Sequence, residues 1–174
     1  MQLLRTLPKH LVGAEIGVHL GDFSSQILLV TKPRKLFLID PWKYERGDEY
    51  VDALYGGASE KEQEIEERYR SVKTRFTSEI ESGRVVMMRR DSESALSEFE
   101  DGSLDFVYID GNHLYEFVKK DLELSLRKVK PGGYITGDDY SPGGWWKGGV
   151  KRAVDEFGGI VTFHYCGSMA GSSS

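Results

Sequence analysis

The chain has 174 residues, with 39% apolar and 29% charged residues and a formal net charge of −5, a composition that predicts one soluble globular domain. It has no basic run, no apolar run long enough to cross a membrane and no continuous apolar core in residues 1–12, so it favours neither a nucleic acid nor a membrane as partner. Its single cysteine, Cys166, excludes an internal disulfide and fits a reducing compartment, and we expect a cytoplasmic protein.

Short apolar runs alternate along the chain with segments of helical periodicity. The apolar runs predict strands at residues 14–18, 35–39, 85–88, 104–109, 134–137 and 160–166. The periodic segments predict helices at residues 24–30, 59–83, 94–99, 115–129 and 150–157. Ser24 or Ser25 would cap the first helix, and a capping box at residues 59–62 would open the second.

This alternation predicts an α/β fold, with a doubly wound, mainly parallel sheet and helices on both faces. Residues 1–166 would form a single domain, and residues 167–174, which are small and polar, would form a flexible tail. Residues 42–57 are aromatic, charged and aperiodic, which predicts a loop or lid. The Pro-Gly-Gly sequence at 131–133 predicts a turn.

A glycine turn at residues 14–25 connects the first predicted strand to the first helix. Gly17 and Gly21 would let backbone N–H groups approach a ligand that a side chain would block. The helix N-terminus adds unpaired donors and a partial positive charge. Such a turn suits a nucleotide or a similar polar cofactor, although an ordinary strand-to-helix turn can have the same pattern.

Acidic residues follow four of the predicted strands: Asp40, Asp91, Asp110 and the pair Asp138-Asp139. The carboxyl ends of parallel strands meet at one edge of the sheet, where α/β proteins bind their ligands. A single acid at a strand end is usually a cap or turn residue. Acids that follow four strands at the same edge, together with the glycine turn, predict a binding site.

The residues around the glycine turn restrict the class of cofactor. A dinucleotide fingerprint requires glycines where this chain has His19 and Asp22, so the pattern fails. Asp40 nevertheless follows Gly21 at about the spacing from which a carboxylate binds ribose hydroxyls. Glu15 would repel a pyrophosphate and attract an ammonium or sulfonium group. These residues together favour a nucleoside-containing cofactor that is not a typical NAD.

Five segments resemble, in order, the motifs of class I S-adenosylmethionine-dependent methyltransferases. The first two are E-I-G-V-H-L-G at 15–21 and L-F-L-I-D-P-W at 36–42. The third, D-F-V-Y-I-D-G-N-H-L-Y at 105–115, resembles the I-D-G-x-H-x-Y signature of a branch that methylates antibiotic and sugar hydroxyls. Segments at 130–140 and 149–154 continue the pattern. The resemblance implies a Rossmann-like methyltransferase fold and transfer of a methyl group to a small hydroxylated acceptor, most simply by O-methylation.

The resemblance also implies which residues bind S-adenosylmethionine. The 15–21 turn would face the methionine end, Asp40 would bind the ribose hydroxyls, and Trp42 would pack near the adenine. Asp91 and Ser92 lie where the family reads the adenine edge. The full cofactor-binding set predicted in this way is Glu15, Gly17, Gly21, Ser24, Asp40, Trp42, Asp91, Ser92 and Asp110.

Three residues are the predicted catalytic group: His113, Asp110 and Asp139. Methyl transfer needs an aligned acceptor and removal of its proton, and a histidine can accept that proton at an ordinary pKa. The family places His113 toward the acceptor, although a loop histidine without this role is the alternative. Tyr140, Trp145 and Trp146 would form a wall of the acceptor site.

A divalent metal is a further prediction. Asp110, Asp138 and Asp139 end two adjacent strands, and three converging carboxylates repel one another unless a cation such as Mg²⁺ lies between them. Relatives in the antibiotic-modifying branch use such an ion. Asn112 argues against it, because the metal-dependent relatives tend to have an acid at that position.

The chain departs from the family at its C-terminal edge. The family's sheet usually ends in an antiparallel pair of strands, but only one strand is predicted after Phe157, so the sheet would be one edge strand short. An unpaired edge predicts a homodimer. Two other functions compete: an NAD- or nucleotide-sugar-dependent Rossmann oxidoreductase, which His19 and Asp22 disfavour, and a non-catalytic cofactor-binding protein, which the predicted catalytic group disfavours.

Overall fold

Six strands form one sheet in the order β3-β2-β1-β4-β5-β6 in the computed structural model, which describes residues 2–57, 62–158 and 162–163. The strands are β1 (Val12–Ile16), β2 (Lys35–Ile39), β3 (Val85–Met88), β4 (Leu104–Ile109), β5 (Val129–Gly137) and β6 (Thr162–Phe163). All five pairings between them are parallel. The α/β prediction is therefore confirmed, and the described part of the chain contains no antiparallel strand.

Seven α-helices and one short 3₁₀-helix accompany the described strands. They are α1 (Gln2–Thr6), α2 (Asp22–Val30), the 3₁₀-helix Asp48–Tyr50, α3 (Glu62–Arg75), α4 (Thr77–Glu81), α5 (Ser92–Ser97), α6 (Tyr115–Lys128) and α7 (Gly149–Phe157). None of the described helices is long and apolar enough to cross a membrane.

The core has two parts because alternate residues of each strand point to opposite faces of the sheet. In β2, Leu36 and Leu38 pack with Ile27 of α2 and Val72 of α3 on one face. The other face packs against α5, α6 and α7, with side chains that include Ile39, Ile109, Leu96, Leu122 and Val150. Both faces of the sheet are thus covered, as a parallel sheet requires.

The register aligns the ends of the central strands. Ile16 of β1 lies beside Ile39 of β2 and Ile109 of β4. The next residues continue this alignment, because the Gly17 amide donates to the Ile39 carbonyl at 2.9 Å and the Asp110 amide donates to the Ile16 carbonyl at 2.7 Å. The glycine turn, Asp40 and Asp110 therefore meet at one edge.

Several predicted boundaries are wrong. The first strand begins at Val12 and ends before Gly17. The helix predicted over 59–83 is two helices, because Phe76 leaves helical geometry with φ −105° and ψ 22°. Helix α5 begins at Ser92, since Asp91 caps it. The predicted turn at 131–133 lies within β5, whose pairing with β4 shifts register near there.

Other predictions lie outside the described residues. These are the first three residues of the capping box at 59–62, the tail at 167–174, and most of the strand at 160–166, of which residues 162–163 are described as a strand. Helix α1 has no counterpart in the sequence prediction. Its Leu4 is buried against the core on the α2 side of the sheet.

Candidate functional site

A cavity of about 520 Å³ opens at the carboxyl ends of the central strands. Of the predicted site residues it contacts Gly17, Asp40, Trp42, Asp91, Ser92, Asp110, His113 and Asp139. A second cavity, of about 740 Å³, lies between the lid and α3 and is lined mostly by charged side chains. Trp42 is the only predicted site residue that it contacts. The first cavity is therefore the candidate active site.

The glycine turn depends on glycine at two positions. Gly17 has φ +84°, and a Cβ there would lie 2.0 Å from the carbonyl oxygen of Asp110. Gly21 has φ +76°, and a Cβ there would lie 2.8 Å from the ring of Phe76. Gly21 also caps α2, and no side chain bonds the helix N-terminus, so the prediction that Ser24 or Ser25 caps this helix is wrong. The first amides of α2, which no capping side chain bonds, can still face a ligand.

Asp40 holds the glycine turn closed. Its Oδ2 accepts hydrogen bonds from the amides of Val18 at 2.9 Å and His19 at 3.0 Å, and its Oδ1 accepts from the amide of Trp42 at 2.6 Å. Burial raises the pKa of Asp40, while these three amides oppose the shift. The indole of Trp42 donates to the carbonyl of His19 at 3.1 Å. Both residues line the cavity, but both also have a structural role.

Glu15 and Ser24 lie beneath the turn and not on the cavity wall. Glu15 is 1% exposed and Ser24 is fully buried. Burial raises the pKa of Glu15 well above its ordinary value, the Ser24 hydroxyl opposes the shift, and the carboxyls of Asp110 and Asp40 add to it. We therefore expect Glu15 to act on a ligand through its charge state and not by contact.

Asp91 caps the N-terminus of helix α5. Its two oxygens accept hydrogen bonds from the amide of Ser94 at 2.7 Å and from the hydroxyl of Ser94 at 2.8 Å. These bonds lower the pKa of Asp91. The neighbouring Ser92 hydroxyl donates to Asp121, a buried residue of α6 that also lines the cavity. Burial raises the pKa of Asp121 to about 7.

Asp110, His113 and Asp139 converge as the sequence predicts. The Nε2 atom of His113 lies 3.3 Å from Asp110 Oδ1 and 3.2 Å from Asp139 Oδ2. Burial raises the pKa of Asp110 to about 6, although His113 lowers it. Burial also raises the pKa of Asp139, which has φ +57°. A non-glycine residue in this region of backbone conformation costs energy, and such strain is common at functional sites.

The same three residues are the group that could hold a metal. One ligand atom from each lies within 4.8 Å of the other two. Asp138 does not belong to this group, because its Oδ1 accepts the amide of Asp139 at 2.9 Å. The predicted set of Asp110, Asp138 and Asp139 is therefore replaced by one in which His113 takes the place of Asp138.

Four aromatic side chains pack together beside this group, and we call Tyr50, Tyr55, Trp145 and Trp146 the aromatic wall. Tyr55, Trp145 and Trp146 line the cavity, and the buried Tyr50 packs behind them. His113 lies 5.9 Å from the ring of Trp145 and 4.9 Å from that of Trp146, measured between centroids. Tyr140, which the sequence predicts to form the acceptor site with Trp145 and Trp146, does not line the cavity. Its hydroxyl donates to Asp155 at 2.6 Å, on α7.

Sequence reasoning missed Arg68 and Asp121. Arg68 is 8% exposed, lines the cavity, donates to the carbonyl of Leu54 at 2.7 Å and pairs with Glu64. Its charge lowers the pKa of His19, where burial is the larger cause. The signal was its position, three residues after Ile65 and four before Val72 on the buried face of α3. Asp121 likewise precedes Leu122 on the buried side of α6.

Comparison with known proteins gives one family. The family model described as "Methyltransferase domain" matches residues 14–140. An uncharacterized protein, y4gI, of Sinorhizobium fredii (strain NBRC 101917 / NGR234) is 29% identical over 128 residues, which are 71% of this chain and 12% of that protein. The chain thus spans a small part of the curated relative that it matches.

Solved structures share the fold at low identity. A Corynebacterium glutamicum protein aligns with TM-score 0.58 and 16% identity over 91% of this chain and 68% of its own. Spermidine synthase from Thermotoga maritima aligns with TM-score 0.52 and 18% identity over 87% of this chain and 46% of its own. Precorrin-6y C5,15-methyltransferase from Geobacter metallireducens GS-15 aligns with TM-score 0.50 and 15% identity, over 76% of this chain and 56% of its own.

Proposed function

The chain belongs to the methyltransferase-domain family whose model matches residues 14–140, and we propose that it transfers the methyl group of S-adenosylmethionine to a hydroxyl of a small-molecule acceptor. One observation carries the proposal. A single cavity joins the glycine turn at Gly17 to the group formed by Asp110, His113 and Asp139. A nucleoside cofactor and a proton-accepting group would therefore share one enclosed space.

The cofactor end of the cavity is formed by Gly17, Asp40, Trp42 and Ser92. The amides of Val18 and His19 occupy Oδ2 of Asp40, whereas Oδ1 accepts one amide and keeps a lone pair, which supports a contact with a ribose hydroxyl. The carboxyl groups of Glu15 and Asp110 lie beside the turn, and their ionised forms would be stabilised by a sulfonium and destabilised by a pyrophosphate. These two groups argue against the NAD-dependent alternative.

The reacting end of the cavity would remove the acceptor's proton. His113 lies between two carboxylates, and an imidazolium formed there would be stabilised by Asp110 and Asp139 at 3.3 and 3.2 Å. A pKa of about 6 also brings Asp110 close to the working range of a general base. We propose that this group takes the proton of the acceptor hydroxyl and that His113 is the member that faces the acceptor.

The donor set of this group also fits a divalent cation. Asp110 and Asp139 would supply oxygen ligands and His113 a nitrogen ligand, a combination that suits a first-row transition ion such as Mn²⁺ better than Mg²⁺. Asn112 would not contribute, because its amide donates to the Tyr50 hydroxyl at 3.0 Å and accepts from the amide of Leu114 at 3.1 Å. An ion held in this way would occupy the His113 nitrogen that faces the two carboxylates, so His113 would then act as a ligand and not as the base. The ion would instead ease removal of the proton by lowering the pKa of the acceptor hydroxyl.

Calorimetry with S-adenosylhomocysteine, NAD⁺ and NADP⁺ tests the cofactor. We expect the first to bind and the other two not to bind. Transfer of labelled methyl groups to a panel of phenols, sugars, alcohols and amines then tests the reaction, and we expect products methylated on oxygen. Binding of NAD⁺ without binding of S-adenosylhomocysteine would contradict the proposal, and cofactor binding without transfer to any acceptor would favour a non-catalytic protein.

The variant His113→Ala tests the base. We expect turnover to fall by roughly 10²–10⁴ while the affinity for S-adenosylhomocysteine stays near that of the wild type. His10→Ala is the matched control, since His10 is exposed and lies outside the cavity. Equal turnover in the two variants would remove His113 from the mechanism. A homodimer through an open edge of the sheet remains a prediction, which sedimentation would test.

A further inference from the structure

The aromatic wall shares no residue with the set assigned above to the cofactor end of the cavity. Tyr50 and Tyr55 come from the lid, and Trp145 and Trp146 come from the loop that precedes α7. Within the lid, the ring centroids of Tyr50 and Tyr55 lie 5.8 Å apart. The lid contacts the loop through Trp145, whose ring centroid lies 6.0 Å from that of Tyr50 and 5.8 Å from that of Tyr55. Trp145 and Trp146 are perpendicular to each other at 5.9 Å. Two segments distant in sequence thus supply one aromatic surface.

We infer that the acceptor is a small neutral aromatic ring that carries the reacting hydroxyl, held against the aromatic wall with that hydroxyl toward Asp110, His113 and Asp139. The inference rests on the proposed methyl transfer and names the class of acceptor. Aromatic rings interact favourably edge to face and offset, at the distances that the wall already adopts among its own members. A planar ligand is the shape that continues such an arrangement.

The polarity of the wall disfavours a sugar. The amide of Asn112 is already bonded on both sides, and the Tyr55 hydroxyl and the indole N–H of Trp146 are buried away from the cavity surface. Leu54 and Phe117, both exposed, add apolar surface to the cavity. A sugar would therefore leave hydroxyls without partners, which is costly. A phenolic ring has one polar edge and an apolar remainder, and it matches this site.

The charges of the site disfavour an acidic acceptor. The group that would face the hydroxyl includes two carboxyls, Asp110 and Asp139. The lysine and arginine side chains that line the described part of the cavity are Lys43 and Arg68, and each is paired with a glutamate. An aromatic carboxylate or phosphate would meet repulsion without a free cation to offset it. The cavity, at about 520 Å³, is within the usual range for small-molecule sites and must also hold the cofactor, so the ring must be small.

Catechol and cis-cyclohexane-1,2-diol form a pair of probes, since both carry two neighbouring hydroxyls on a six-membered ring and they differ in aromaticity, planarity and the acidity of those hydroxyls. Each is titrated by calorimetry into the wild-type protein saturated with S-adenosylhomocysteine. We expect catechol to bind and the diol to bind at least about tenfold more weakly, because the ring–wall contacts are absent. Glucose and 3,4-dihydroxybenzoate test the sugar and the acid, and we expect both to bind more weakly than catechol.

The variants Tyr55→Leu and Trp145→Leu test the wall itself. We expect each to weaken catechol binding by about two- to tenfold and to leave the affinity for S-adenosylhomocysteine unchanged. Tyr134→Leu is the control, because Tyr134 is an exposed tyrosine of β5 that does not line the cavity. Its catechol affinity should equal that of the wild type.

The outcomes separate this inference from the function on which it rests. If S-adenosylhomocysteine binds but catechol binds no better than the diol or glucose, the acceptor class is wrong and the methyltransferase proposal stands. Methyl transfer to a sugar and not to catechol would have the same meaning. If S-adenosylhomocysteine does not bind, the proposed function itself fails.

Discussion

Replacing the buried Asp121 by asparagine should make the protein more stable at neutral pH and leave it nearly unchanged in acid. Asp121 is 3% exposed on α6, and its carboxyl accepts a hydrogen bond from Ser92. Burial raises its pKa to about 7, while the Ser92 hydroxyl opposes the shift and the neighbouring Asp91 and Glu93 add to it. Asparagine keeps a side-chain oxygen that can accept the hydrogen bond of the Ser92 hydroxyl, but it has no carboxyl group that titrates.

The magnitude follows from proton linkage. A carboxyl whose pKa is raised by folding binds its proton more tightly in the folded state, so stability falls as pH rises from the unfolded pKa to the folded one. The shift runs from 3.8 to about 7, and one unit corresponds to about 1.4 kcal/mol, which gives an upper limit of about 4 kcal/mol. The loss develops between pH 4 and pH 7 and changes little above that range.

Urea unfolding at pH 4.5, 6.0 and 7.5 measures this difference. We expect the free energy of unfolding of Asp121→Asn to exceed that of the wild type by an amount that grows with pH, to roughly 2–4 kcal/mol at pH 7.5. Other buried acids titrate in both proteins and cancel in the difference. Glu81→Gln, which removes an exposed acid of α4, controls for the lost charge. A difference independent of pH would refute the assignment of the raised pKa to Asp121.

Two further expectations concern the turn and the metal. Gly17→Ala should cost more than about 3 kcal/mol of folding stability, because its Cβ would lie 2.0 Å from a carbonyl oxygen. Gly83→Ala is the control and should cost about 1 kcal/mol, since Gly83 has φ +72° but open space around it. Equal thermal denaturation of the two variants would contradict the close approach at Gly17. EDTA should lower methyl transfer and Mn²⁺ should restore it, and Mn²⁺ binding measured by electron paramagnetic resonance should be lost in Asp139→Asn and kept in Asp138→Asn. Full activity in EDTA together with absence of Mn²⁺ binding would remove the metal from the proposal.

The sequence predicted the parts of the site that follow from strand ends. A buried strand is recognisable from a short run of apolar residues, which also predicts where the strand ends. Because the strands are parallel, the residues that follow them, Gly17, Asp40 and Asp110, must then share one edge of the sheet. His113 follows Asp110 by three residues, so its nearness to that carboxyl is local. These residues were predictable because topology and short spacing together determine their positions.

Other contacts depend on side-chain choices that periodicity does not encode. Asp91 and Asp138 both follow strands, yet each bonds nearby backbone: Asp91 caps α5, and Asp138 accepts the amide of Asp139. A cap and a ligand-binding carboxylate have the same sequence signature. The charge of Arg68 normally marks an exposed position, whereas its burial on α3 is accompanied by a hydrogen bond to Leu54 in the lid, a contact that periodicity does not encode.

The acids around the glycine turn, which are buried or half-buried, give a physical reason for the class of cofactor. Glu15, Asp40, Asp110 and Asp121 all have a raised pKa, and burial is the largest cause for each. A positively charged ligand in the cavity would favour their ionised forms, whereas the phosphates of a dinucleotide would oppose ionisation further. The glycine pattern already fails the dinucleotide fingerprint at His19 and Asp22. The acids around the turn point the same way, because the ionisation that a sulfonium would favour is the ionisation that a pyrophosphate would oppose.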